Sequence, residues 1–321
     1  MRILVTGGAG FVGSHLCERL IVEGHIVTVL DDFSTGRATN LGLLQSLENF
    51  SLVEGTILNS ELLNSLIKNS DYVFHLAAAV GVFNIVNHPL ESLMTNVRGT
   101  ENILGAAHDA NIPVFLTSSS EVYGKNISDS LKESDDRILG SPTTLRWSYS
   151  EAKAIDESLA YAYYVEKSLE IRIVRFFNTV GPRQLGAYGM VVPRFVKAAI
   201  NDEPINIYGN GEQTRCFAHV YDVIDAVIAI AFAENTVGKV INIGNDFEIS
   251  INGLAKKIID QTGSKSEIMY VPYEVAYGDG FEDMERRVPN IDLINQLVGW
   301  KPKRDLTSII HDISVAMKKG S

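Results

Sequence analysis

Residues 6–13 read TGGAGFVG, with Gly7, Gly10 and Gly13 spaced three apart. The run RILVT (2–6) before them has the apolar, β-branched character of a buried strand, and Val12, His15, Leu16 and Leu20 after them share one helical face. Glycines at a strand-to-helix turn permit a tight bend and let backbone N–H groups approach a pyrophosphate at the helix N-terminus. Taken alone the spacing is weak, since a simple turn also produces it. The next apolar run, IVTVL (26–30), closes on the acidic pair Asp31 and Asp32, which strengthens the dinucleotide reading. A carboxylate there accepts hydrogen bonds from adenosine ribose hydroxyls and repels a 2′-phosphate, so NAD is favoured over NADP. The expected cofactor contacts in this part are Gly7, Gly10, Phe11, Val12, Gly13, Asp31 and Asp32. Arg37 is the contrary sign, although a solvated loop arginine is its commoner meaning, and Asp31 also has a purely structural reading as a helix or turn cap.

Further strand-like runs lie at SLVEG (51–55), YVFHLAA (72–78), VFLTSS (114–119) and IRIVRFF (171–177). Segments with helical spacing separate them, for example through Leu93, Val97, Ile103 and Leu104. This alternation predicts an α/β fold with a doubly wound parallel sheet. After about residue 178 proline and glycine become denser and the order loosens. The chain is therefore divided into a dinucleotide-binding Rossmann domain, 1–177 plus about 217–243, and a smaller, partly interleaved C-terminal substrate domain, about 178–216 and 244–321. Their interface is the expected cleft.

Composition narrows the partners. Across 321 residues the formal charge is −11 and 45% of residues are apolar. Without a Lys/Arg cluster a nucleic-acid surface is excluded, and an anionic ligand must be held by a few placed arginines and helix N-termini. Cys17 and Cys216 form no disulfide framework or metal-ligand pattern, so no metal is expected and a reducing cytoplasm fits. No apolar run reaches the roughly 18 residues of a membrane span, and no signal peptide is read at the N-terminus.

In YSEAK (149–153), Tyr149 and Lys153 are four apart and share a helix face. An ammonium near a phenol favours the phenolate and makes Tyr149 a usable base. Together with TGGAGFVG, HLAA (75–78), SSSEVYG (118–124), TNVRGTENIL (95–104), RFFNTVGPR (175–183) and GEQTRCF (211–217), this pattern resembles the extended short-chain dehydrogenase/reductase family acting on nucleotide sugars. The resemblance spans essentially the whole chain. It implies that Tyr149 takes a proton from a sugar C4 hydroxyl while NAD accepts the hydride, that Lys153 also holds the nicotinamide ribose, and that Ser119 bonds the nascent ketone oxygen. It makes Ala77 and Ala78 walls of the cofactor site, with His75 packed beneath. Thr56 stands where the family often has an adenine-contacting aspartate, which puts that contact in doubt.

Members of the family share C4 oxidation and differ in the fate of the 4-ketone, so Ser120 and Glu121, after Ser119, carry the discrimination. A 4,6-dehydratase needs an acid and a base, which the family supplies as Thr-Asp-Glu; this chain keeps the glutamate and lacks the aspartate. UDP-glucuronate decarboxylases have Ser-Glu ahead of Val-Tyr-Gly, as here, and share the RWSYSEAK (146–153) form and a C-terminal Tyr-Gly-x-Gly segment within 276–302. The resemblance thus implies a UDP-glucuronate decarboxylase giving a UDP-pentose, with Glu121 either ordering a water or delivering a proton. The runner-up is a 4-epimerase of UDP-glucose, UDP-N-acetylglucosamine or UDP-glucuronate; a dehydratase or a non-catalytic NAD-binding protein ranks lower. The positions matching UDP contacts are Asn178, Arg215 and Arg287, with Arg194 a weaker match and Arg286 an alternative to Arg287. Family members dimerise by pairing two long helices into a four-helix bundle. Here these are about 90–109 and 149–167, with Leu159, Ala160, Tyr163 and Tyr164 as the expected face.

Overall fold

The computed structural model describes residues 1–80, 87–186, 190–273, 275, 284 and 286–319. Six strands, β1 (Arg2–Thr6), β2 (Ile26–Asp31), β3 (Phe50–Glu54), β4 (Tyr72–His75), β5 (Val114–Ser119) and β6 (Ile171–Phe176), are joined by a seventh at Val240–Ile243. They form one parallel sheet in the order 240–243, β6, β5, β4, β1, β2, β3. The helices between them are α1 (Phe11–Val22), α2 (Ser60–Lys68), α3 (Pro89–Ala110) and α4 (Ser148–Lys167).

Strand pleating explains the two layers, because successive side chains leave a strand on opposite faces. Ile3 and Val5 of β1 pack with Leu16 and Leu20 of α1 and with Val223 and Val227 of the helix Val220–Ala231. Leu4 of the same strand packs the other way, in the cluster holding Leu63 and Ile67 of α2, Ile103 and Leu104 of α3, and Ala160 of α4. Both faces are covered, so β1 is buried from Ile3 to Thr6 and β5 from Val114 to Ser118. The order reverses between β1 and β4, which opens a crevice at their C-terminal ends where doubly wound sheets bind ligands.

Beyond this sheet, Phe195 and Val196 of the helix Val191–Ile200, Leu254 and Ile258 of Ile251–Thr262, and Ile309 and Ile313 of Leu306–Lys319 form a separate core. Two short sheets flank it, Ile205–Tyr208 with Ile268–Val271 in parallel and Thr214–Cys216 with Glu248–Ser250 in antiparallel. The chain returns to the main sheet between them, which interleaves the two parts. The run 72–78 is a strand only to His75, because Leu76, Ala77 and Ala78 leave the sheet to wall the crevice.

Candidate active site

The crevice is a cavity of about 530 Å³ running from the glycine turn to α4. Gly7 has φ +72°, and a Cβ on it would lie 2.6 Å from the Ala77 nitrogen. A Cβ on Gly13 would lie 2.2 Å from the Gly7 carbonyl oxygen, so α1 rests directly on the turn. No side chain caps α1 at Gly10, which leaves its first N–H groups for an anion. Gly10, Phe11 and Val12 line this end with Gly7 and Gly13.

Asp31 and Asp32 line the same end. Asp31 is buried and accepts hydrogen bonds from the Ala9 and Phe33 nitrogens, each at 2.9 Å, so it braces the turn as well as facing the cavity. Burial raises its pKa against those two bonds. Asp32 is exposed and accepts from Ser34. Ala77 and Ala78 form the middle wall, while Gly55 and Ile57, on either side of Thr56, also reach the cavity.

Thr117, Ser118, Tyr149 and Lys153 close the far end. Among the described residues the buried Ser118 hydroxyl has no hydrogen-bond partner, which fits a polar ligand here. The glycine turn, the uncapped helix, Asp31 and the Tyr149–Lys153 pair together suit NAD along the whole cavity.

At the chemical end, the Ser119 hydroxyl lies near enough to the Tyr149 phenol to favour its ionised form. The Lys153 ammonium donates to the Thr117 carbonyl at 3.1 Å and to Asp156 at 3.2 Å. The spacing alone predicts an acidified phenol. Instead the Tyr149 pKa is raised, first by burial and then by the charges of Glu121 and Asp156. Burial dominates, and Lys153 is itself ion-paired with Asp156, neither of which a spacing of four residues reveals. His75 lies beneath, between Thr6 and Thr100, and burial pushes its pKa down to about 3.

Glu121 follows β5 in a short 3-10 turn that Ser119 caps by accepting from the Glu121 nitrogen. Its carboxylate is gripped by Arg146 at 2.6 Å and Arg287 at 2.8 Å. Arg287 also donates to the Ser120 hydroxyl at 3.2 Å. Burial alone would raise the Glu121 pKa, but the two guanidiniums outweigh it and hold the group at about 2. Glu121 is therefore a fixed carboxylate at neutral pH.

The remaining positions fall into separate places. Asn178 donates to the Cys216 carbonyl at 2.9 Å, which sets it beside the buried Arg215. Arg194 stacks over Tyr208, 4.0 Å from the ring centre, and lines a neighbouring cavity. Arg286 is partly exposed and forks onto Glu248 at 2.8 and 2.9 Å, whereas Arg287 is the inward member of the pair. The Tyr-Gly-x-Gly segment, residues 277–280, lies outside the described residues. Ala160 is fully buried within the chain, while Leu159, Tyr163 and Tyr164 are half-buried against the same core.

Two residues of the site were not singled out from sequence. Arg146 stands in the turn before α4, and its signal was a basic residue three positions ahead of Tyr149. Asp156 lies about one turn beyond Lys153, and its signal was an acid on the same inward helix face as that lysine.

A glycine cradle at the sheet's switch point, with a hydroxyl, a phenol and a lysine at its far end, defines a dinucleotide-dependent enzyme that moves a hydride and a proton. The model of the NAD dependent epimerase/dehydratase family matches residues 3–244. The chain belongs to that family and is an NAD-dependent enzyme. It is 40% identical over 302 residues to a UDP-N-acetyl-alpha-D-glucosaminuronate decarboxylase of Bacillus cytotoxicus, covering 94% of this chain and 92% of the relative. It is 37% identical over 316 residues to UDP-glucuronic acid decarboxylase 1 of Xenopus tropicalis, covering 97% of this chain and 71% of that protein. Among solved structures, UDP-glucuronic acid 4-epimerase from Bacillus cereus, in complex with UDP-glucuronic acid and NAD, superposes with a TM-score of 0.90 at 28% identity over all of both chains.

Proposed function

We propose that this enzyme decarboxylates a UDP-linked hexuronate, UDP-glucuronate first among them, to a UDP-pentose. The observation that carries the reading is the Arg146–Glu121–Arg287 cluster beside Ser119 and Tyr149. Two buried guanidiniums converge on this one carboxylate, a setting that suits recognition of a second carboxylate on a uronate. A 4-epimerase working on a neutral hexose needs no such group. The decarboxylase relatives support the same reading, and the 40% match gives the 2-acetamido uronate a place beside UDP-glucuronate.

In this mechanism Tyr149 accepts the proton of the C4 hydroxyl and Ser119 bonds the oxygen. Bound NAD would supply the hydride acceptor for C4 and, once carbon dioxide has left and C5 is protonated, would give the same hydride back to C4 while Tyr149 returns its proton to the oxygen, so that the product is the UDP-pentose. With C4 a ketone, the C6 carboxylate belongs to a β-keto acid. Its C5–C6 bond breaks, carbon dioxide leaves, and the electron pair passes to the C4 oxygen as an enolate that Ser119 and Tyr149 stabilise. Glu121 competes for the same arginines, so the substrate carboxylate is positioned without being over-stabilised in the ground state. Because Glu121 stays ionised, the proton that quenches C5 comes from a water that it orients.

Asn178, Arg215 and Arg194 are read as the UDP side of the site, and Arg287 as the link between diphosphate and sugar carboxylate. The division into an NAD-binding part (1–177 with about 217–243) and a nucleotide-sugar part follows sheet membership, since the strand 240–243 pairs with β6. A homodimer through a four-helix bundle of α3 and α4 remains our reading, and the exposed Ile155, Tyr161 and Val165 of α4 add apolar surface that supports it. A cytoplasmic location is supported by two buried, unbonded cysteines. Among the described residues no helix is long and apolar enough to cross a membrane.

The test is incubation with NAD and, separately, UDP-glucuronate, its 2-acetamido counterpart, UDP-glucose and UDP-N-acetylglucosamine. Carbon dioxide and a UDP-pentose are expected from a uronate. An intact sugar inverted at C4 with no carbon lost would sink the proposal.

A further inference from the structure

Asp156 plays no part in the mechanism above, yet its side chain is completely buried at 0% exposure. Burying a carboxylate is costly unless it is paired. Its partner is the Lys153 ammonium at 3.2 Å, whose second acceptor is the Thr117 carbonyl. On its other side, toward Thr100 of α3, the buried Asp156 Oδ1 has no hydrogen-bond partner among the described residues. Thr100 Oγ1 lies 3.2 Å from His75 Nε2, and His75 Nδ1 lies 2.8 Å from Thr6 Oγ1, which accepts the Ala77 nitrogen at 3.3 Å. Two buried polar groupings thus lie side by side, Asp156–Lys153–Thr117 and Thr100–His75–Thr6, the second ending at the wall of the cofactor cavity.

The charges around this chain are few. Tyr149 faces Glu121 from the turn after β5, already matched by Arg146 and Arg287, and Asp156 from its own helix, while Lys153 lines the same end of the cavity. Asp156 faces Lys153 and Glu157 on its own helix, and Glu157 is committed to Arg175 of β6 at 2.7 Å. Thr100 brings no charge from α3, and burial keeps His75 of β4 neutral.

We propose that Asp156 is a positioning residue for Tyr149 and Lys153, holding the ammonium between its carboxylate and the Thr117 carbonyl and offsetting the lysine's charge beside the phenol. The proposal rests on the reading of Tyr149 as the base. A lysine without this acid would have the phenolate as its nearest anion and would draw the proton off Tyr149. With Asp156 in place, the ammonium orients ligands more than it acidifies the phenol.

The test titrates the Tyr149 phenol in the NAD-loaded protein by ultraviolet difference absorbance, with Tyr149→Phe isolating its signal among 12 tyrosines. Asp156→Asn keeps the shape and removes the charge, so the titration is expected to move down by about one pH unit, with the acidic limb of kcat/KM moving in parallel. Asp156→Glu, which keeps the charge, is expected to titrate like wild type. Coincident curves for wild type and Asp156→Asn overturn the proposal. If Asp156→Asn fails to fold, Asp156→Ser is read the same way, and failure of both makes the residue structural and overturns it as well. Normal turnover by Tyr149→Phe would remove the base assignment by itself, whatever the titration of Asp156→Asn does.

Discussion

At the dinucleotide end of the cavity, Gly7, Gly13 and Asp31 lie close together in the chain and act on backbone, whereas at the sugar end side chains meet from far apart. Asp31 reaches Ala9 across 22 positions, while Arg287 reaches Ser120 across 167. The first end is one strand-turn-helix unit and its next strand, so local geometry shapes it. The second is assembled from the turn after β5, the turn before α4 and a C-terminal segment, and it holds together through buried charge pairing. Cofactor recognition and reaction choice are thus carried by different parts of the fold and should fail separately.

The largest effect is expected from Tyr149→Phe, which should lower turnover by about 10³-fold while leaving NAD affinity nearly unchanged, as measured by single-turnover kinetics and calorimetry. Next, Glu121→Gln removes the anion between two buried guanidiniums and is expected to cost about 3 kcal/mol of folding stability at pH 7. Turnover should fall with it. The sign with pH is set by the depressed carboxyl. Glu121, ordinarily near 4.5 and held at about 2, contributes fully above pH 4.5 and loses its contribution as pH falls toward 2. Urea melts of wild type and variant should therefore differ at pH 7 and converge over that acidic window.

A third variant moves to the other end. Gly13→Ala sets a Cβ against the Gly7 carbonyl and is expected to weaken NAD by about 30-fold, with kcat at saturating cofactor little changed. A weaker effect is expected from Asp31→Asn, about tenfold in NAD affinity by calorimetry, together with a relaxed preference over NADP. If Gly13→Ala altered the ratio of decarboxylation to epimerisation, the separation of the two ends would be lost.

The nucleotide end was legible because its signals are local. Glycine spacing, a strand before, a helix after and acids closing the next strand all lie within 32 residues of the N-terminus. The alternation that predicts a doubly wound sheet is legible for the same reason, since pleat and helix period are local properties. Tyr149, Lys153, Ser119 and Glu121 could be picked out by their motifs. What they do to one another could not: Lys153 is shared with Asp156, and Arg287 is bound to Glu121.

Amino-acid order was enough for the layered α/β architecture, the glycine cradle and the kinds of group available for chemistry, because each depends on neighbours a few residues away. Folding had to bring Arg146 and Arg287 together on Glu121, set Asp156 under Lys153 and spend Ala160 on the core. Protonation and charge pairing depend on burial and on distances of a few ångströms between distant segments. Those distances exist only once the sheet has stacked its helices on both faces.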